Sequence, residues 1–217
     1  GAATYYLSPN GNDTNNGTSP TTAWRTIGRL QQVGASLQPG DQVLFERGGT
    51  FPGHFTINSN GSAAQPIVVS CYGSGALPVI SGAIRATGWT VHQGNIWKAT
   101  VAQAVKYVHL GDDLMTLARY PNSGWLRVNT ASTTQLSSTG ITQANGHWNG
   151  AELVLRSTNW CYENAVISTH TGNSLQFPAI VYNPGNHGWG FFLQNKLSEL
   201  DSPGEWYHDE ATGTLYF

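Results

Sequence analysis

Three pairs of carboxyl residues stand close together in this sequence: Asp112-Asp113, Asp201 with Glu205, and Asp209-Glu210. Two carboxyls about 5 to 10 Å apart across a glycosidic bond can act as acid and base, or as acid and nucleophile. These pairs suit that role poorly. Asp112-Asp113 follows Gly111 in a tight turn, where Asp is favoured because its side chain hydrogen-bonds the nearby backbone. Asp209-Glu210 opens a second turn, which runs to Gly213. Asp201 and Glu205 lie among Pro203, Gly204 and Trp206, and suit either the wall of a cleft or a strut with Arg119 as ion-pair partner. Catalytic residues therefore stay unassigned at this level.

Flat rings offer a second chemistry, because the C–H faces of cyclic polyols stack on Trp and Tyr, and the same rings also fill cores. The chain has eight Trp and nine Tyr. Trp24, Trp89, Trp97 and Trp206 are expected to pack. Trp125, Trp148, Trp160 and Trp189, with Tyr162 and Tyr182, lie in a stretch rich in Asn, Ser and Thr with less core to fill, and are the candidate ligand-stacking residues.

Metal and nucleophile patterns are sparse. The seven His form no H-E-x-x-H motif, and Cys71 and Cys161 form no C-x-x-C pair. Cys71 lies in the apolar run Ile67–Tyr72 and is expected to be a buried free thiol. Asp13, among Asn10, Asn12, Asn15 and Asn16, is a candidate ligand for a structural Ca²⁺, the competing reading being an Asx-rich turn without metal. No other cofactor is indicated. The net charge is −2 and the ten Lys and Arg are scattered, so nucleic acid is not an expected partner. No run approaches the roughly 20 apolar residues of a membrane span. A polar, charge-poor, aromatic-rich chain suits work outside the cell, and secretion is the expected localisation.

The elements that must position these residues are mostly strands. Helix-forming runs are nearly absent, apart from one segment in which Trp24, Ile27, Leu30 and Val33 recur at helical spacing; Thr21 or Thr22 is the expected N-cap and Gly34 the end. From Pro39 onward, short apolar runs alternate with Gly-rich turns: Val43-Leu44-Phe45, Phe55-Thr56-Ile57, Ile67-Val68-Val69 and Val79-Ile80. Leu44 to Val68 and Phe55 to Val79 are both steps of 24 residues, as in a coil that lays each strand above its predecessor. A β-sandwich also gives short strands, but no two-residue Asn-Gly or Asp-Gly turn joins these runs as hairpins would require. The helix is the natural cover for the open end of such a coil. Trp97 and Val105–Leu110 are candidates for a third coil. The pattern breaks from about Arg119, where a β-rich insertion begins, and strand character resumes at Phe191-Phe192-Leu193 and Gly213–Phe217. The expected fold is all-β, a right-handed parallel β-helix with an N-terminal capping helix and an inserted β-rich subdomain. Its divisions are 1–118 (cap and first coils), 119–190 (insertion) and 191–217 (return to an incomplete coil).

Two sets of strings carry a resemblance. Tyr5–Asp13 with Asn16-Gly17-Thr18, followed by Leu37–Phe45 and Gly48-Gly49-Thr50-Phe51, resembles the start of bacterial pectin-lyase-like β-helix proteins, a fold shared by lyases, hydrolases, epimerases and binding modules. Ala118–Asn122 paired with Leu200–Asp209 and Thr212–Tyr216 resembles the strings that flank an insertion in proteins similar to family 141 glycoside hydrolases. The resemblance implies a carbohydrate-active protein whose catalytic acids belong to later coils.

The expected function is recognition of a neutral plant or algal cell-wall polysaccharide, xylan-like in preference, by the aromatic residues of the insertion. The alternative is the N-terminal section of a β-helix glycoside hydrolase, or less readily a polysaccharide lyase, completed by a missing C-terminal part of the same protein. A structural or adhesive β-helix is a third reading, and its trimer-forming repeats are not seen.

Overall fold

A computed structural model describes all 217 residues, which divide into two compact units, Gly1–Arg85 and Ala86–Phe217. In the first unit, β1 (Thr4–Leu7) leads through an Asx-rich loop to α1 (Ile27–Val33), and then come β2 (Gln42–Glu46), β3 (Thr50–Pro52), β4 (Val68–Tyr72) and β5 (Val79–Ser81). The chain returns in parallel: β1, β2 and β4 form one sheet, and β3 with β5 a second. Tyr5 pairs with Val43 and Val43 with Val69, while Phe51 pairs with Ile80.

The observed return is therefore 26 residues between β2 and β4 and 29 between β3 and β5, where the apolar spacing predicted 24. The difference has a local cause. Phe55-Thr56-Ile57 is not a strand; the second ladder uses Phe51, which is buried edge-on against Phe45, and Phe55 only packs beside them. The helix also starts later than expected. Its N-cap is Thr26, whose hydroxyl accepts the Arg29 N–H, whereas Ser19 caps a single 3₁₀ turn at Pro20–Thr22. Trp24 precedes the helix, in a parallel bridge beside Leu7. Cys71 is a free thiol as expected but only half-buried, because β4 has a partner on one side only.

The apolar core cluster of this unit is Leu7, Trp24, Ile27, Leu30, Leu37, Val43, Phe45 and Phe51, so α1 closes the core over the inward positions of β1 and β2. Val68, Val69, Val79 and Ile80 are exposed.

The second unit is mostly antiparallel. β6 (Thr90–Gln93) and β7 (Ile96–Thr100) form a hairpin, β8 (His109–Leu110) and β9 (Asp113–Leu114) another, and β10 (Thr116–Leu117) leads into β11 (Arg119–Tyr120) and β12 (Leu126–Arg127). There follow β13 (Thr130–Ala131), β14 (Gln135–Ser137), β15 (Glu152–Arg156), β16 (Tyr162–Val166), β17 (Thr169–Thr171), β18 (Ser174–Gln176), β19 (Gly190–Gln194), β20 (Glu205–Asp209) and β21 (Thr214–Tyr216).

One sheet runs β10-β20-β21-β7-β6, parallel between β10 and β20 and antiparallel elsewhere; a second runs β11-β19-β15-β16 with β12 also on β19; a third runs β13-β14-β18-β17. Trp97 and Val105–Leu110, candidates for a third coil, take other roles. Trp97 lies in the β6–β7 hairpin, and residues 105–108 form no strand. Phe191-Phe192-Leu193 forms the centre of β19, which pairs with β15 and β11. The mixed and antiparallel pairing gives a mostly β molecule in which parallel pairing is confined to the first unit's strands and the β10–β20 pair.

Candidate functional site

Alternation in the β11-β19-β15-β16 sheet decides which side chains can meet a ligand. Phe191, Leu193, Leu153 and Leu155 point inward and are buried with Trp148, Ile167 and Leu175. Phe192, Gln194, Glu152, Val154, Arg156, Tyr162 and Asn164 occupy the opposite face. Register aligns them across the sheet: Phe192 with Val154, Val154 with Asn164, Arg156 with Tyr162, and Glu152 with Gln194.

Trp125, just before β12, lies across this outer face. Its ring centroid is 5.0 Å from Phe192, edge-on, and 5.7 Å from Tyr162, tilted by 34°. The close approach needs a glycine. A Cβ on Gly190 would stand 3.1 Å from Trp125 Cβ and about as near to its ring. Arg119 completes one edge, its guanidinium carbon 3.8 Å from the Phe192 centroid while Nε donates to the Pro121 carbonyl. Trp125 is 43% exposed and Tyr162 56%. The result is an open aromatic platform.

Beside it lies a polar row. Glu152 Oε1 accepts from Asn164 Nδ2 at 2.8 Å and Oε2 from Gln194 Nε2 at 2.7 Å, which fixes three hydroxyl-binding groups next to the rings. Arg156 bends back onto the hairpin turn, donating to the Thr158 and Asn159 carbonyls, and its guanidinium carbon sits 4.6 Å from the centroid of half-buried Trp189. A second aromatic pair, Trp160 and Tyr182, meets edge-on at 6.1 Å. Glu163 holds that pair in place by accepting the Val181 and Tyr182 N–H groups. Burial raises the Glu163 pKa, but the hydrogen bonds outweigh it and the carboxyl titrates below its ordinary range.

The six candidate stacking residues thus separate. Trp125 and Tyr162 share the platform, Trp160 and Tyr182 form a separate exposed pair, and Trp189 is half-covered by Arg156. Trp148 offers no face to a ligand. It is fully buried, its Nε1 donates to Gln143 Oε1, and His147 and Tyr120 pack on it at 4.5 and 5.4 Å. The polar sequence around it hid a core position. Phe192, Glu152, Asn164, Gln194 and Arg119 were missed; the three-residue apolar run 191–193 masks the alternation that sends Phe192 outward.

Of the paired carboxyls, Glu205, Asp201 and Asp209 bond the chain itself. Glu205 is buried and accepts the N–H groups of Arg119, Asp201 and Ser202; burial nevertheless pushes its pKa up. Arg119 therefore meets Glu205 through its backbone, and the expected ion pair does not form. Asp201 accepts from Asn122 Nδ2, Asp209 accepts the Ala211 N–H, and Asp112 sits in the two-residue turn of the β8–β9 hairpin. Asp13, the candidate Ca²⁺ ligand, accepts N–H groups of Arg25 and Thr26 on Oδ1 and the Thr26 hydroxyl on Oδ2. Neighbouring Asn12 and Asn16 accept from Thr14 and Thr18. Asp13 thus accepts three chain donors, two on Oδ1 and one on Oδ2, the bonding of an Asx-rich turn. No helix is long and apolar enough to cross a membrane.

No known protein-family profile matches the chain. A lacto-N-biosidase of Bifidobacterium longum subsp. longum is 35% identical over 92 residues, 40% of this chain and 6% of that protein. A solved glycoside hydrolase superposes on the whole chain with a TM-score of 0.78 at 22% identity, a likeness of fold. A lacto-N-biosidase of Eubacterium ramulus aligns with 35% of the chain and 12% of its own, at 37% identity and a TM-score of 0.33. The chain spans 43% of the glycoside hydrolase it superposes on.

Proposed function

We propose that this chain is a carbohydrate-recognising section of a secreted glycoside hydrolase, with the outer face of the β11-β19-β15-β16 sheet as its contact surface. The observation that carries the reading is the platform of Trp125, Tyr162 and Phe192 beside the Glu152–Asn164–Gln194 row. Rings take up the apolar face of a sugar, and fixed amides and a carboxylate take up its equatorial hydroxyls. An open face of this kind suits the side of a polymer. Only one carboxyl lies on it, so the substrate is read as neutral and xylan-like. The likeness to a glycoside hydrolase fold and to a lacto-N-biosidase segment supports placing the section in an enzyme.

In this reading the parallel strands of residues 1–85 are the first coils of a right-handed β-helix, and further chain of the same protein pairs with the open edges of β4 and β5. Residues 119–190 are the insertion that carries the platform. Cleavage falls to carboxyls outside these 217 residues in this reading, because Glu205, Asp201 and Asp209 hold the chain and Glu152 is the single carboxyl on the platform.

Affinity electrophoresis of the chain in xylan, mannan, β-glucan, pectin and lacto-N-biose-bearing glycans, with sugar release assayed in parallel, tests this. Retardation by a neutral glycan without release is expected, with Trp125→Ala weakening retention about tenfold or more. Unchanged retention in both Trp125→Ala and Tyr162→Ala would remove the platform from the reading. Sugar release by the chain alone would move catalysis into it.

A further inference from the structure

A second candidate site in the same unit shares no lining residue with the platform. It is a cleft of about 480 Å³ lined by Gly146, His147, Lys196, Leu197, Ser198 and Tyr207, a size that encloses one or two sugar rings. Its walls are built. Asn195, with φ of 66°, is the one non-glycine residue in the left-handed region, and it turns the chain out of β19 so that Lys196 to Ser198 face His147. His147 Nε2 is 2.7 Å from Glu199 Oε1, which also accepts the Ser198 hydroxyl at 2.8 Å. That leaves His147 Nδ1 without a protein partner.

The charges in the cleft are unequally matched. Glu199 is buried, and one of its oxygens meets both His147 Nε2 and the Ser198 hydroxyl. Lys196 has no carboxylate partner. Its ammonium donates once, to the Asn149 carbonyl at 3.0 Å, so two of its three N–H groups are free. A lysine with unused donors, an open imidazole nitrogen, a tyrosine and the apolar Leu197 in one bounded cleft match a ligand with both an anionic group and a ring.

We propose that this cleft binds a carboxylated sugar unit, a uronate at a chain end or branch, with its carboxylate on Lys196 and its ring against Tyr207 and Leu197. The inference rests on the carbohydrate reading but not on the platform. It adds an acidic recognition point to a surface otherwise suited to neutral polymer.

Titration of the whole chain with methyl glucuronide and with methyl glucoside, followed by amide NMR, tests it. Glucuronide is expected to move the amides of Gly146 and Lys196 to Ser198 and to bind about tenfold or more tighter than glucoside, since a charge-assisted hydrogen bond is at stake. Lys196→Gln should erase that preference and Lys196→Arg should keep it. Equal binding of the two glycosides, no shift at these amides, or a Lys196→Gln variant with the preference intact would overturn the proposal. Acetate competing as well as glucuronide would overturn the sugar assignment. Trp125→Ala should leave glucuronide binding unchanged. Loss of cleft binding alone refutes the inference; loss of polymer retention alone refutes the platform; loss of both refutes the carbohydrate reading.

Discussion

Each of the two units lays a tryptophan against a glycine, and to opposite ends. In residues 1–85, Trp24 is buried, stacked on Tyr5 at 4.9 Å, with Nε1 donating to the Asn15 carbonyl. Gly17 makes room for it: a Cβ there would fall 2.3 Å from the ring, at a φ of +74°. In residues 86–217, Trp125 lies over Gly190 but stays open to solvent. The first arrangement closes a core beneath a loop, and the second spreads a ring over the outer face of a sheet whose other face is already packed. A tryptophan's role is set by which face of its element the neighbours have filled, and the composition of the flanking sequence says little about it.

The largest expected effect tests that rule at Trp148, which sits in polar sequence yet behaves as Trp24 does. Trp148→Ala is expected to destabilise the protein by about 3–5 kcal/mol, the usual range for emptying a buried aromatic site. Chemical denaturation measures this directly. A loss below about 1 kcal/mol with polymer retention abolished would return Trp148 to the displayed group. The glycines sharpen the comparison at a lower magnitude. Gly17→Ala should cost about 2–3 kcal/mol, because both its backbone conformation and the Trp24 ring oppose a methyl group. Gly190→Ala should cost less than about 1 kcal/mol, since Trp125 can lift by a few tenths of an ångström, and should instead weaken retention. Equal stability losses at the two positions would mean that Trp125 is held as rigidly as Trp24.

The sequence disclosed the parts governed by local rules. The turn Asp209–Gly213, the strand Leu153–Leu155 and the parallel return of Val43 to Val69 follow from turn chemistry, alternation and repeat, whereas antiparallel pairing begins already at β6 and β7, well before Arg119. The return length was misjudged because Phe51 and Phe55 both satisfy an apolar spacing, and only packing against Phe45 selects Phe51. The platform was half legible. Trp125 and Tyr162 stood out by type, but Phe192, Glu152, Asn164 and Gln194 join them only through the register of β15 with β16 and β19. The cleft was illegible, since His147 and Glu199 are distant in sequence and neither lies in a motif.

The smallest expected effect separates the two units by the sign of their response to pH. Burial raises the Asp13 pKa, but hydrogen bonds from the Thr26 hydroxyl and the Thr26 and Arg25 N–H groups, with the charge of Arg29, carry it below the ordinary value. Its contribution is therefore present above the unfolded pKa of about 4 and is lost as pH falls through the lower, folded value. Glu205 runs the other way. Burial pushes its pKa up despite three backbone donors, so its contribution is complete below the unfolded pKa of about 4.3 and is lost as pH rises through the folded value. Both effects are small, because Asp13 is partly solvated and the donors to Glu205 offset much of its burial. Amide exchange between pH 3 and 6 can read each unit separately. Protection at Arg25 and Thr26 should fall on acidification and become nearly flat in Asp13→Asn, while protection at Ser202 and Trp206 should rise. Parallel slopes in both units would mean that the donors around Glu205 outweigh its burial, and that Asp13 and Glu205 are the same kind of anchor.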